Sequence, residues 1–533
     1  MGFDVIAVFN RALVAERENG AAFETENACK VYLDGVLYKE TKRNAIEVFG
    51  LEPERTYVLK IEEADGSVSE EKVKTKKESF FLDVRYFGAK GDGVHVDTAA
   101  IQAAISACPK DGTVYLPAGT YLSGPLFFKS HMSFWVDKGA ELLGLMDRAD
   151  YPILPGVVRH LYDNGREYNL GSWEGNPLNS FASLITAIDA EDLDIFGEGI
   201  INGNADQSDW WVNAKVKRVA WRPNLVFLNN SKDVRMMGFT ACNSPCWAFH
   251  PYYSDHLQFL CLNIQNPYNS PNTDGFDPES CEDVLLLGTM ISVGDDCIAI
   301  KSGKLYMAME HYKKTKDIKV RNCLLQKGHG SVTVGSEIAG GVEDVHVTQC
   351  IFKETDRGVR IKTRRGRGER SVLDNLVFEN IRMDGVPMPV TVNMFYYCDP
   401  DGHSPYVQSQ EETPVDYRTP RIGTMEIHNI NATGAGASFL CAYGLPEAPI
   451  KKIVLENITA SYRQEAERTP QCPIMMDDFP KLSGRSIYVK NIDTLVVKNV
   501  IFTDAADEKP ELQNVTKQEV EGLRYLHNPK EML

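Results

Sequence analysis

Apolar and polar positions alternate in short runs over residues 1 to about 80, as in Lys30-Val-Tyr-Leu-Asp-Gly-Val-Leu-Tyr38 and Thr56-Tyr-Val-Leu-Lys-Ile61, with turn signals at Asp34-Gly35, Gly50 and Asp65-Gly66. Such spacing predicts the strands of a small antiparallel sandwich. The charged stretch Glu70-Glu-Lys-Val-Lys-Thr-Lys-Lys-Glu78 reads as its last strand running into a linker. From Phe81 the pattern changes. Ala99, Ile101, Ala104, Ile105 and Cys108 recur at helical spacing and predict one amphipathic helix capped by Asp97. Beyond it the helical period vanishes. A polar turn followed by a short apolar strand recurs instead, at Asp192-Leu, Lys232-Asp-Val, Asp255-His-Leu, Glu282-Asp-Val, Lys316-Asp-Ile, Glu343-Asp-Val and Asp374-Asn-Leu. The apolar members of the last six fall at 234, 257, 284, 318, 345 and 376, in steps of 23, 27, 34, 27 and 31 residues. Periods in this range mark a solenoid. The strands are too short for helices and tight hairpin signals are scarce, so the expected architecture is a parallel β-helix with the helix after Asp97 over its N-terminal end. The chain is read as all-β in two units, a β-sandwich over residues 1–80 and a parallel β-helix over 81–533.

Composition narrows this further. The 533 residues are 43% hydrophobic and 25% charged, which excludes disorder and a small disulfide scaffold. A formal charge of −17 argues against a nucleic-acid partner, since affinity for polyphosphate comes from Lys and Arg. No run of 18 apolar residues occurs and no signal-peptide pattern opens the chain, so neither a membrane nor export is expected; the reading is cytoplasmic, or secreted or periplasmic had a leader been removed. Twelve cysteines without a CxxC pair read as buried thiols. Oligomeric state stays open.

Four polar clusters interrupt successive repeats: Ser270-Pro-Asn-Thr-Asp-Gly-Phe-Asp277, Val293-Gly-Asp-Asp-Cys-Ile-Ala-Ile-Lys301, Gly328-His-Gly330 and Gly358-Val-Arg-Ile-Lys-Thr363. Singly, each has an ordinary explanation as a turn or a solvated strand face. Jointly they do not, because Asp274, Asp295, His329 and Arg360 are separated by 21, 34 and 31 residues, each about one coil. Stacked roughly 4.8 Å apart, these rungs would gather Asp274, Asp295, Asp296, His329, Arg360 and Lys362 into one patch. Crowded carboxylates beside cations suit acid and base hydrolysis of a glycosidic bond in an anionic sugar.

The set Asn272-Thr-Asp274, Gly294-Asp-Asp296, Gly328-His-Gly330 and Arg360-Ile-Lys362, in this order and spacing, resembles the polygalacturonases of glycoside hydrolase family 28, over roughly residues 81 to 505. Phe87-Gly-Ala-Lys-Gly-Asp-Gly93 likewise resembles the start of pectin-degrading β-helices, and Leu51-Glu-Pro-Glu-Arg-Thr-Tyr57 resembles the tyrosine-corner approach of fibronectin type III modules. The resemblance implies a right-handed, pectin lyase-like β-helix without metal or cofactor that hydrolyses α-1,4 bonds of galacturonans with inversion. It implies Asp295 as general acid, Asp274 and Asp296 as holders of the attacking water, His329 as partner of the acid, Asn272 as a sugar ligand, and Arg360 and Lys362 as a grip on the substrate carboxylate. One tension attends it: adjacent rungs give a carboxylate separation near 5 Å, whereas inverting enzymes usually show about 6.5–9.5 Å. Tyr396, Tyr397 and Tyr443 are candidates for the family's binding tyrosine.

Insertions at 151–183, 206–223 and 398–421, with Gly335-Ser-Glu-Ile-Ala-Gly-Gly341, are similar to bacterial exopolygalacturonases, and exo action is expected. Trp210, Trp211 and Trp221 are candidates either for stacking on sugars or for burial, and Arg364-Arg-Gly-Arg-Gly-Glu-Arg370 either extends a carboxylate pocket or is a solvated turn. Alternatives are endo action, a xylogalacturonan or rhamnogalacturonan backbone, a calcium-dependent pectate lyase on the same scaffold, and a non-catalytic polysaccharide-binding β-helix. The N-terminal unit has three readings: a carbohydrate-binding module, a wall over the cleft, or a spacer.

Overall fold

The computed structural model describes residues 2–527 except 160 and 163. The N-terminal segment forms two antiparallel sheets. One orders Phe3–Val8, Ala12–Arg17 and Ala45–Phe49; the other orders Val36–Arg43, Glu24–Leu33, Thr56–Glu62 and Val68–Lys74. Their alternating apolar positions meet in a core of Leu13, Val31, Ile46, Tyr57, Leu59 and Ile61. The Tyr57 hydroxyl accepts a hydrogen bond from the Glu52 N–H at 2.7 Å, which pins the Leu51–Tyr57 corner.

From Phe81 onward strands pair in parallel, coil upon coil. Leu193, Val234, Leu257, Val284, Ile318, Val345 and Leu376 stand in register on successive rungs, and the ladder runs on through Met425, Ile453 and Leu495. All of these apolar residues are buried in one continuous core. The residue before each repeat's apolar anchor, whether Asp192, Asp233, His256, Asp283, Asp317, Asp344 or Asn375, takes a positive φ between 52° and 57°. Asp and Asn tolerate this left-handed conformation better than other non-glycine residues. The recurring polar residue is therefore what turns the chain onto each new strand.

The helix Thr98–Ala107 buries Ile101, Ala104 and Ile105 over the N-terminal end of the coil. Asp97 precedes it without a side-chain cap bond. Its two carboxylate oxygens instead accept the N–H groups of Lys90 at 2.7 Å and Gly91 at 2.9 Å, tying down the glycine-rich loop before it. The antiparallel unit packs on the solenoid's flank. Phe9, Ala12, Val14 and Ala45 meet Phe196, Met237, Leu260 and Leu287 in an apolar seam. Around that seam Arg321 binds Glu16 at 2.7 Å and Asn44 donates to Asn322 at 2.9 Å. All twelve cysteines are thiols, most of them buried. No helix among the described residues is long and apolar enough to cross a membrane.

Candidate active site

Register decides which polar residues meet. Phe276 pairs with Ile298, Ile298 with Val332 and Val332 with Val359. Counting back two residues makes Asp274 and Asp296 rung-equivalent neighbours; counting back three does the same for Asp295 and His329. Backbone bonds hold both pairs, Gly275 N–H to Asp296 carbonyl at 3.0 Å and His329 N–H to Asp295 carbonyl at 2.9 Å. Beyond the carboxylates, outward side chains form two rows across the rungs. Asp277, Ala299, Thr333 and Arg360 make one; Glu279, Lys301, Gly335 and Lys362 make the other.

All seven expected residues, Asn272, Asp274, Asp295, Asp296, His329, Arg360 and Lys362, line a single cavity of about 630 Å³. Asp296 is 1% exposed, and each of its oxygens is held: Arg360 Nη1 donates to Oδ1 at 3.0 Å and Lys362 Nζ to Oδ2 at 2.8 Å. Burial opposes its ionisation, but these two cations outweigh burial and hold the carboxyl well below the ordinary carboxylate range. Asp274 is buried too, with Oδ1 making no hydrogen bond. Burial first, and the neighbouring charge of Asp295 second, push its proton affinity far upward. Environments that drive two adjacent carboxyls apart are the pattern of acid–base sites.

Asp295 is the accessible member of the three, its side chain 23% exposed, with His329 Nδ1 at 3.2 Å from Oδ1. That hydrogen bond raises the imidazole's proton affinity. Asn272 is oriented by Arg222, whose Nη2 donates to Oδ1 at 2.8 Å while Nη1 holds the carbonyls of Pro245 and Pro271. Arg360 and Lys362 thus bind a carboxylate of the protein as well as facing the cavity. An ammonium carries three donors, so Lys362 retains donors for a ligand while holding Asp296.

The three aspartates bring oxygens within 4.8 Å of one another, a spacing that a cation could bridge. Both oxygens of Asp296 are already engaged by the protein's own cations. The same closeness leaves the carboxylates short of the about 6.5–9.5 Å usual for inversion.

Each of the three insertions reaches the cavity, through Glu174, Lys215, and Cys398 with Asp399. Glu174 and Lys215 form an ion pair that joins the first two insertions at the cavity's edge. Trp173 and Trp221 stack behind it, centroids 4.5 Å apart and 7° from parallel. Gly175 seats its carbonyl on the Lys304 N–H at 2.8 Å. A Cβ there would come within 2.9 Å of Glu337, so only glycine fits.

Several sequence readings resolve differently. Trp210 is fully buried between Tyr151 and Phe181, and the Trp211 Nε1 donates to the Ser244 carbonyl, so the insertion's tryptophans are packing elements and none of Trp210, Trp211 and Trp221 lines the cavity. Arg364, Arg365 and Arg367 form neither a solvated turn nor a carboxylate pocket. They are buried and anchor loops: Arg364 to Asp401, Arg365 to Glu447 at 2.6 Å, and Arg367 to Asp399 at 2.8 Å. Tyr396 and Tyr397 line the cavity, whereas Tyr443 is buried against Phe479 and Tyr488. None of the described residues of 1–80 lines the cavity. Sequence reasoning missed Trp247, Lys301, Glu337, Arg357 and Met475. Lys301 carried a signal, for it ends the Gly-Asp-Asp strand in the row that Lys362 occupies; Met475 carried none, arriving from a distant loop.

Comparison with known proteins shows what the chain is similar to. A family model described as glycosyl hydrolases family 28 matches residues 166–416, a span containing all seven residues above, and one described as rhamnogalacturonase A/epimerase, pectate lyase-like matches 81–135. A probable polygalacturonase of Vitis vinifera is 28% identical over 397 residues, 72% of this chain and 75% of that protein. The endo-polygalacturonase of Pectobacterium carotovorum subsp. carotovorum is 29% identical over 314 residues, 56% of this chain and 72% of that one. The family 28 exopolygalacturonase of Yersinia enterocolitica has the same right-handed β-helical fold, with a TM-score of 0.69 at 21% identity and 97% of both chains covered. With its aspartates, histidine and cations stacked on consecutive rungs of that fold, the chain carries over residues 166–416 a match to family 28 of the glycosyl hydrolases.

Proposed function

We propose that the protein hydrolyses α-1,4-galacturonosidic bonds of polygalacturonate or its oligomers, by exo action and with inversion. The observation that carries this reading is the Asp274–Asp295–Asp296 cluster in a cavity whose cations suit an anionic sugar. Asp295, the exposed carboxyl, is placed to protonate the leaving oxygen, and His329 keeps a proton at hand beside it. Asp274 and Asp296, buried and rung-adjacent, hold the attacking water between them, and the Asp274 carboxylate accepts its proton. Asn272, fixed by Arg222, presents Nδ2 to a sugar hydroxyl. Arg360 and Lys362 keep Asp296 ionised and offer their remaining donors to the substrate carboxylate. The relatives whose names state an activity, an endo-polygalacturonase and exopolygalacturonases among them, support the galacturonan substrate.

Short carboxylate spacing alone would favour a covalent, retaining route. Asp296 is a poor nucleophile, however, because both oxygens are occupied by cations, and Asp274 lies buried beneath the cleft. A water shared between them accounts for the spacing better. Proton NMR of the first product would give the β-anomer; α-anomer would overturn inversion.

Exo action rests on the Glu174–Lys215 pair, which joins two of the insertions in the cavity lining, where they would block the substrate's path beyond its terminal sugar. A time course on a galacturonic-acid hexamer should release one small product in the first minutes. A ladder of intermediates would mean endo action. Chelation should leave the rate unchanged and produce no ultraviolet-absorbing unsaturated sugar, the two signs of a calcium-dependent lyase.

A further inference from the structure

Beside the three aspartates, with two of its members in the same cavity lining, lies a second, buried charge group. Lys301 is 3% exposed, with Nζ 3.1 Å from Glu337 Oε2, 3.4 Å from Asp277 Oδ1 and 4.4 Å from the Trp247 ring centre. Asp277 is wholly buried, and neither of its oxygens makes a hydrogen bond. Among the described residues Lys301 is its only ion-pair partner. Glu337 has further cations around it, Lys304, Arg367 and Lys362, and accepts from the Ser336 hydroxyl at 3.0 Å.

Asp274 sits three residues before Asp277 on the same rung and feels four charged groups: Asp295, Asp277, Lys301 and Asp296. Asp296 is already neutralised by Arg360 and Lys362, and Asp295 has His329. Lys301 is thus the cation that offsets Asp277, the acid next along the rung from Asp274. A buried carboxylate without its cation is costly, and the like charge it leaves would fall on its neighbours.

We propose that Lys301 is a positioning residue for catalysis: by compensating buried Asp277 and Glu337, it sets the electrostatic field in which Asp274 gives up and takes back its proton. The same lysine ties the chemistry to the cavity wall. Glu337 lies against Gly175 of the first insertion, and Ser336 accepts from Arg367, which holds Asp399 of the third.

This inference rests on the hydrolytic reading above. The experiment measures kcat and KM against pH on trigalacturonate for the wild type, K301M, D277N, K301M/D277N and D295N, with thermal melting of each. Loss of Lys301 removes positive charge near Asp274, so in K301M the acid limb of kcat/KM should rise by about one pH unit, a roughly tenfold deficit on the acid side, with the change in kcat and not KM. D277N should move the same limb downward, and the double variant should return it close to wild type. A lysine that merely stabilises the fold would lower the melting temperature of K301M and leave its pH profile unmoved; that result overturns the proposal, as does a double variant no closer to wild type than K301M. If K301M does not fold, D277N decides alone, and an unmoved limb overturns the role. Turnover retained in D295N would instead overturn the hydrolytic reading itself.

Discussion

Three aspartates of one chemical type acquire three environments here: Asp295 and Asp296 differ by one residue along the chain, and Asp274 and Asp296 by one rung. Asp296 turns inward to two cations, Asp274 inward without one, and Asp295 outward to an imidazole. The His329 link has consequences in pH. Its folded-state proton affinity is raised by Asp295, so the stabilisation it brings is complete below the ordinary histidine value of about 6.5 and fades as pH rises through the higher folded value. The melting-temperature difference between wild type and H329A should therefore shrink steadily from pH 6.5 upward. In kinetics, H329A should lose on the order of 10²-fold in kcat. The identities of these residues were readable from the four motifs. Their inequality was not, because it depends on which cations the folded rungs bring within 3 Å.

At the level of elements, the solenoid turn and the buried arginine are the two devices that place the site. Asp283 has φ near 54°, a conformation that costs a β-branched residue about 1–2 kcal/mol. D283V should lower the melting temperature, while D283G, which can adopt this conformation, should stay close to wild type. Arg365 and Glu447 are each 1% exposed, and Arg365 also donates to the carbonyls of Tyr406, Ser409 and Glu411. Truncation in R365M would strand a buried carboxylate, a loss of about 3–5 kcal/mol, seen as a lower melting temperature with new proteolytic cleavage within 398–421. The repeats from Val234 to Leu376 were legible because each carries its polar turn and apolar anchor. The rungs at Met425 and Ile453 were not, since strands of 12 and 13 residues run through the bends there and no separate turn motif marks them.

Across the whole molecule, the proposed function has a protein of charge −17 acting on a polyanion. Long-range repulsion between them is screened beyond about 10 Å at 0.1 M salt, whereas the buried cations at Asp296 are screened much less. Raising ionic strength from about 10 to 100 mM should therefore increase kcat/KM on polygalacturonate; a fall would mean that local cations steer the substrate from afar. The N-terminal unit stands outside this electrostatics, sealed to the flank through Phe9, Phe196, Met237 and Leu260. Deleting residues 1–76 would bare that apolar seam, and the truncated chain should aggregate in light scattering even though its cavity lining is intact.

By itself the sequence determined the coil and the chemical inventory. A polar residue able to turn left-handed before each apolar anchor repeats locally, and carboxylates, imidazole and cations recur one coil apart, so both are written in short-range pattern. What only the tertiary structure decided is partnership: that Asp296 belongs to Arg360 and Lys362, that Arg364, Arg365 and Arg367 anchor loops rather than substrate, that Lys301 answers Asp277, and that two insertions meet through Glu174 and Lys215 in the cavity lining. Such pairings join residues up to 82 positions apart, and their energies depend on burial and separation, quantities that exist only once the rungs are stacked.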